Sequence, residues 1–484
     1  MSISTIYKFL NTKSKNIKHL KFGSRMLSMQ LQNVPRVCIV GAGAAGFYAA
    51  MHLSKNVNVK IDLLEKLPVP FGLVRYGVAP DHPEVKNVIH QFTKVAQHPN
   101  VNFYGNVTLG KDISLKQLRH HYDAVLLTYG ADEDRILGIE NEDAKNVVAA
   151  RNFVGWYNGF PSDKNFKVDL SGPTAAILGQ GNVALDVARI LLTPVDELRK
   201  TDITEHALSC LAESKVKELY LIGRRGPLQV AFTIKELREQ LKIKNSKTVW
   251  RQEDFKGVAE RIDGLARPRK RLTDLMLKSL KESQKDSGDN EGTKYFKPLF
   301  FRSPKKFLID NENRLTGIAL TCNKLVGEKL EELKCVPDGN IEILNCHLAF
   351  RSIGYKSIPV DKDLVFTPHG TAANENGCVI DNSNSGNLGK LYVAGWLGTG
   401  PVGVILHTMG NAFHVAKVMC EDLKTMTNSR ASVDDIQDIL KSSEIVNWEG
   451  WEKIDKYEKE QGKLKGKPRE KICDIKTMLE IALS

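Results

Sequence analysis

Two short stretches constrain this 484-residue chain more than anything else in it, because each demands a strand, a glycine turn and a helix in that order. Val37-Cys38-Ile39-Val40 is an apolar run of the kind buried in parallel sheets. It leads straight into Gly41-Ala42-Gly43-Ala44-Ala45-Gly46, a complete G-x-G-x-x-G. Gly41 makes the tight turn, Gly43 lets backbone approach a pyrophosphate, and Gly46 lets the helix pack on the strand. The helix, predicted over Phe47 to Leu53, turns its N-terminal amides toward the phosphates. The next predicted strand, Val59 to Leu64, ends at Glu65, roughly 20 residues after the last glycine, where a carboxylate can accept hydrogen bonds from ribose. An acid there favours an adenosine ribose without a 2′-phosphate, in FAD or in NAD, and the motif does not choose between them.

The logic repeats further along. Ala175-Ala176-Ile177-Leu178 leads into Gly179-Gln180-Gly181-Asn182-Val183-Ala184, a G-x-G-x-x-A, followed by a predicted helix from Val183 to Leu192 and a strand from Val216 to Ile222. That strand ends in Gly223-Arg224-Arg225. Two guanidinium groups can grip a phosphate dianion through bidentate contacts, so the second site reads as one for NADP. The spacing from Ala184 to Arg224 is long for this pattern, and predicts an extended helical stretch over 193–215. The chain is expected to be α/β, with two Rossmann-like dinucleotide-binding domains. One ribose-reading and one phosphate-reading site together imply a flavin that takes hydride from NADPH.

Composition closes off other classes. Hydrophobic residues at 42% and charged residues at 26% suffice for a packed core and exclude a mostly disordered chain. The eight cysteines contain no C-x-x-C pair, which argues against a disulfide scaffold, a thiolate metal site and a disulfide reductase. No metal site is expected. Of the net charge of +12, six cations (Lys8, Lys13, Lys15, Lys18, Lys21 and Arg25) fall in the first 30 residues, and the first acid in the chain is Asp62. A basic, acid-free start with spaced apolar residues reads as a mitochondrial transit peptide over residues 1–33, with a basic arm for acidic surfaces as the alternative. Leu391 to Ala416 carries no Asp, Glu, Lys or Arg, but its glycines predict strand, loop and helix start rather than a membrane span.

The run from Pro70 to Glu84 (PFGLVRYGVAPDHPE), with Gly179 to Asp186, Gly223 to Glu236 and Gly395-Trp396 to Ile405, resembles the mitochondrial adrenodoxin reductase family of ferredoxin:NADP⁺ reductases. The resemblance extends from about Arg36 into the C-terminal region. It implies an FAD domain formed by 34–135 and 361–484, with an NADP domain, 136–360, inserted between. FAD contacts implied are Ala45, Glu65, Leu73, Leu109, Trp396, Gly403, Val404 and Ile405, besides Gly41, Gly43 and Gly46. NADP contacts implied are Gln180, Gly181, Asn182, Val183, Arg224, Arg225, Glu236 and again Gly403, with Gly179 in the turn. His82 and Asp186 are the titratable residues that motif position puts near the flavin, for proton handling or for a hydrogen bond to each other.

With no cysteine pair beside it, the flavin is expected to pass electrons singly to a separate carrier. Arg267-Pro268-Arg269-Lys270-Arg271, just before the amphipathic run Leu272 to Leu280, is a candidate docking surface for an acidic partner. The resemblance places Arg267 and Arg271 on the face that meets an acidic [2Fe-2S] ferredoxin, serving P450 enzymes or iron-sulfur cluster assembly. It also suggests a peripheral position on the inner mitochondrial membrane. Nucleic-acid binding is not expected, since no aromatic platform or DNA-binding motif accompanies the basic run. The alternatives are a glutamate synthase-like NADPH reductase subunit and a redox-inactive flavin-bound scaffold. Ser283 to Thr293 is expected to be a polar surface loop, and the tail beyond Lys441 to pack Trp448, Trp451 and Tyr457 on the FAD domain.

Overall fold

The computed structural model describes residues 34–284, 291–327, 332–380, 388–403, 405–426, 436–440 and 444–484. The proposed transit segment, the centre of the polar loop at 285–290 and Val404 lie outside the described residues.

The first glycine motif opens a parallel sheet. Strands β1 (Arg36–Val40), β2 (Lys60–Glu65), β3 (Val101–Gly105) and β4 (Ala124–Leu127) pair with β1 central, flanked by β2 and β4. Alternate residues of these strands feed two different cores. Val37, Ile39, Ile61, Leu63 and Leu126 pack under helix α1 (Ala44–Asn56), whereas Cys38, Val40, Leu64, Val125 and Leu127 pack on the opposite face. Burial on both faces explains why the strands read as unbroken apolar runs.

The chain then builds a second sheet around the second glycine motif. Strands β5 (Val147–Ala149), β6 (Thr174–Leu178), β7 (Glu218–Ile222), β8 (Ser246–Thr248) and β9 (Lys294–Leu299) join the later β13 (Leu348–Arg351) in the order β5-β13-β6-β7-β9-β8, all parallel. Helix α2 (Asn182–Leu192) follows β6, and the long gap before β7 holds two short helices, Val195–Leu198 and Glu205–Ala212. One face of this sheet is covered by helices, including α3 (Ile234–Gln240) and α4 (Arg267–Ser283). The other face is covered by an antiparallel three-stranded sheet of β10 (Arg302–Ile309), β11 (Leu315–Val326) and β12 (Lys334–Asn345), whose Phe307, Leu315, Ile318 and Leu320 meet Ala176, Leu178 and Ile222. The sequence reading does not anticipate this small sheet.

The chain returns to the first sheet with β14 (Asn374–Glu375), β15 (Cys378–Val379) and β16 (Lys390–Val393), β16 lying parallel to β4, so that one seven-stranded sheet is made from both ends of the described chain. The second Rossmann-like unit is thus inserted into the first. Helix α5 (Ile405–Thr425) packs along α1, and helix α6 (Trp448–Leu464) closes the same core. Trp451 is buried edge-on against Phe71, and Trp448 meets Phe71 and Phe103, as expected of the tail, whereas Tyr457 stays 40% exposed. The uncharged stretch 391–416 is strand, a short helix at Trp396–Thr399 and the start of α5. Among the described residues no helix is long and apolar enough to cross a membrane.

Candidate functional site

At the first loop the three glycines divide their work. Gly41 has φ +110° and a side chain there would strike the Thr128 carbonyl, while a Cβ on Gly46 would sit 2.2 Å from the Gly41 oxygen. Thr128 Oγ1 donates to the Gly41 carbonyl at 2.8 Å and locks the turn. Gly43 is different: a Cβ there would meet nothing within 4 Å. The second loop copies this division. A Cβ on Gly179 (φ +130°) would lie 2.1 Å from the Ser352 carbonyl oxygen, and one on Gly181 would meet nothing within 4 Å. In both loops the outer turn is dictated by packing, and the middle glycine faces open space at a helix N-terminus, the cradle a pyrophosphate needs.

Glu65 ends β2 almost fully buried, with one carboxylate oxygen accepting from Ala42 N at 2.9 Å and the other from Leu67 N at 3.2 Å. Burial raises its pKa, and those two amide bonds pull the other way. The carboxylate therefore braces the glycine loop, and each oxygen keeps a lone pair for a ribose hydroxyl. At the end of β7, Arg224 and Arg225 are exposed, and neither has an acidic partner among the described residues. Arg269 brings a third guanidinium toward Arg225 while donating to Val230 O at 2.6 Å.

Other expected contact residues fall around the same two loops. Gly395 packs so tightly on Ala45 that its Cβ position lies 2.7 Å from the Ala45 Cβ, which sets Trp396 beside the first loop. Trp396 leans on Tyr355 with its indole Nε1 buried and unpartnered, and Leu73 stands half exposed. Gly403 (φ +86°) and Ile405 lead into α5, and Leu109 is buried with Val107 and Ile113. In the second loop the Gln180 side chain lies flat on Gly223 with Nε2 unpartnered, Asn182 Oδ1 accepts from Thr233 N at 2.9 Å, and Val183 is partly buried. These orphaned buried donors and open glycines fit two bound dinucleotides.

His82 and Asp186 do not hydrogen-bond each other. His82 Nε2 meets Glu239 Oε2 at 2.5 Å, and Asp186 Oδ1 accepts from Arg189 Nη2 at 2.5 Å. Both acids sit on the inserted unit, where α2 and α3 pack together, so the sequence positions alone did not reveal the pairing. Arg189, buried and missed by the sequence reading, also donates to Asp81 Oδ2 at 2.7 Å and Glu236 Oε2 at 2.6 Å. A lone arginine in the otherwise apolar stretch Val187 to Leu192 was the available signal. Glu236 thus has one oxygen committed to Arg189. Burial, opposed by Arg189, pushes the Asp186 carboxyl up to about 6. Asp81, His82 and Glu84 of the long motif, and Lys86 two residues beyond it, all reach the inserted unit, at Arg189, Glu239, Lys235 and Asp202.

The basic run splits in two. It is not a prelude to the amphipathic helix but its first turns, where the helix dipole disfavours cations. Lys270 pairs with Asp263 and Arg269 turns inward, leaving Arg267 and Arg271, one turn apart, exposed without ion pairs among the described residues.

The NAD(P)-binding Rossmann-like domain pattern matches residues 39–104. NADPH:adrenodoxin oxidoreductase, mitochondrial, of Drosophila melanogaster is 53% identical over 92% of this chain and 93% of its own length. The proteins of that name from Homo sapiens and Arabidopsis thaliana are 45% and 42% identical, covering 93% and 95% of this chain and 92% and 98% of their own. The chain belongs to the mitochondrial NADPH:adrenodoxin oxidoreductase family. A solved structure, Mycobacterium tuberculosis FprA in complex with NADPH, superposes with a TM-score of 0.86 at 34% identity, covering 93% of this chain and all of that one. The likeness in sequence and the likeness in fold each span nearly the whole of this chain.

Proposed function

We propose that this chain is an FAD-dependent NADPH:adrenodoxin oxidoreductase of mitochondria, which oxidises NADPH and delivers electrons singly to an adrenodoxin-like [2Fe-2S] ferredoxin. The observation that carries the reading is the contrast between two similar glycine cradles, one ending on buried Glu65 and the other on the unpaired Arg224 and Arg225. Bound FAD supplies the conversion from a hydride to single electrons. The chain's residues do the rest. Gly41, Gly43, Ala45, Gly46, Glu65, Leu73, Leu109, Trp396, Gly403, Val404 and Ile405 hold the flavin nucleotide. Gly179 to Val183, Arg224, Arg225 and the free oxygen of Glu236 hold NADPH, with Gly403 shared between the two. The proposed unit boundaries at 135/136 and 360/361 fall between strands of the two sheets.

Asp186 is the better candidate for moving a proton, because its raised pKa lets it exist in both forms at physiological pH. His82, tied to Glu239, orients the seam between the two units. Arg267 and Arg271 present two free cations to an acidic partner. The test is anaerobic: NADPH should bleach the flavin absorbance of the purified protein, and cytochrome c reduction should then require an added [2Fe-2S] ferredoxin. Bleaching without a ferredoxin requirement would favour another acceptor, and no bleaching would favour a redox-inactive scaffold.

A further inference from the structure

A cavity of about 510 Å³ is lined by Phe71 and Arg75 but not by the exposed Leu73, and its wall draws on both units. Its floor is aromatic: Phe71, Trp448 and Trp451 stack edge to face. Its wall is cationic beyond what the local acids neutralise. Lys86 and Lys471 share the one carboxylate of Asp202, at 2.6 and 3.0 Å. Arg75 and Arg469 share Glu458, with Asp455 as a further partner for Arg469. Lys471 and Arg75 are buried, and Lys200 at the rim has no ion pair among the described residues. Across the lining six cations, Arg75, Lys86, Lys200, Lys459, Arg469 and Lys471, face the carboxylates of Asp202, Glu452 and Asp455, with Glu458 behind, and an excess of cations held out of water is costly unless a further anion joins them. Burial, opposed by Asp202 and reinforced by the neighbouring Lys86 and Arg75, pulls the Lys471 ammonium down to about 7.

We infer that this cavity is a ligand site separate from both dinucleotide cradles, which takes a small organic anion: a flat apolar body on the tryptophan floor, and a phosphate or carboxylate head against Lys86, Lys200 and Lys471. Because Lys200 and Asp202 belong to the inserted unit and Trp448 and Lys471 to the other, its occupant bridges the two.

Calorimetric titration of the flavin-loaded full chain tests this with four probes: 1-naphthyl phosphate, 1-naphthoate, 1-naphthol and inorganic phosphate. The expected result is one saturable site for at least one aromatic anion, at least tenfold tighter than for 1-naphthol or inorganic phosphate. Whichever of the two anions binds identifies the head group. Lys200→Glu, an exposed substitution that should leave the fold intact, should weaken that binding at least fivefold, and Arg224→Ala should leave it unchanged. The inference is overturned by absence of saturable binding for both anions, by equal binding of 1-naphthol, by indifference to Lys200→Glu, or by loss in Arg224→Ala, which would place the probe in the NADP cradle.

Discussion

Arg224 and Arg225 owe their importance to what is missing around them. An arginine with a carboxylate neighbour is already spent, whereas these two stand exposed at a strand end with no described acid in reach. A hydrogen bond to a charged group is worth about 2 kcal/mol, which is roughly thirtyfold in affinity. Replacing either with Ala should therefore raise the KM for NADPH by roughly that factor and leave the KM for NADH unchanged, measured with ferricyanide as acceptor; an unaltered preference would refute the phosphate assignment. Asp186 makes a different kind of prediction. Its folded pKa of about 6 lies above the ordinary carboxylate value, so the folded chain holds a proton that the unfolded chain releases as pH rises from about 4. Stability contributed by this group is present at low pH and is lost as pH rises to 6, by about 3 kcal/mol in all. Asp186→Asn removes that dependence. The melting temperature of the variant should rise relative to the parent between pH 4 and 6, and a constant difference would contradict the raised pKa.

At the scale of elements, the glycine loops separate folding from binding within four residues. Gly46→Ala forces a methyl group to within 2.2 Å of a backbone oxygen, so the loop must move, at about 1–3 kcal/mol as in other overpacked sites. Gly43→Ala adds a methyl where nothing lies within 4 Å and where φ is ordinary, so the flavin-free fold should be indifferent to it. The Gly43→Ala protein should melt like the parent when stripped of flavin yet retain little flavin on purification, and the Gly46→Ala protein should melt earlier in both states. Equal flavin content in the parent and the Gly43→Ala protein would mean that the cradle does not hold the pyrophosphate. Such a split was legible from the sequence, because glycine spacing and the following helix carry it. The three-stranded sheet β10–β12 was not legible, since its strands, of 8, 12 and 12 residues, cover a face that could equally have taken helices.

For the molecule as a whole, the proposed docking of an acidic partner rests on charge. Arg267 and Arg271 stand exposed at the start of a helix whose dipole gains nothing from them, which supports the proposal that they meet an acidic partner. Ferredoxin reduction should slow roughly tenfold or more in Arg267→Glu/Arg271→Glu and fall steeply with ionic strength, while ferricyanide reduction by NADPH stays level. Flat salt dependence would remove the docking role. The seam through Asp81, His82 and Glu84, continued by Lys86 just beyond, gives the long motif's polar end its partners on the inserted unit, while Arg75 earlier in the motif pairs with Glu458 of α6.

What the amino-acid order determined by itself was local: two strand-turn-helix cradles, an acid after one and two arginines after the other, and the apolar runs that must be buried on both faces. Backbone sterics and hydrogen bonding between near neighbours suffice for these. Only the tertiary structure decided which strands from the two halves of the described chain pair in one sheet, that His82 bonds Glu239 rather than Asp186, that Arg189 gathers three carboxylates, and that Arg269 turns inward while Arg267 and Arg271 stay exposed. These outcomes depend on which groups lose water together when distant segments meet, and spacing along a sequence does not encode that.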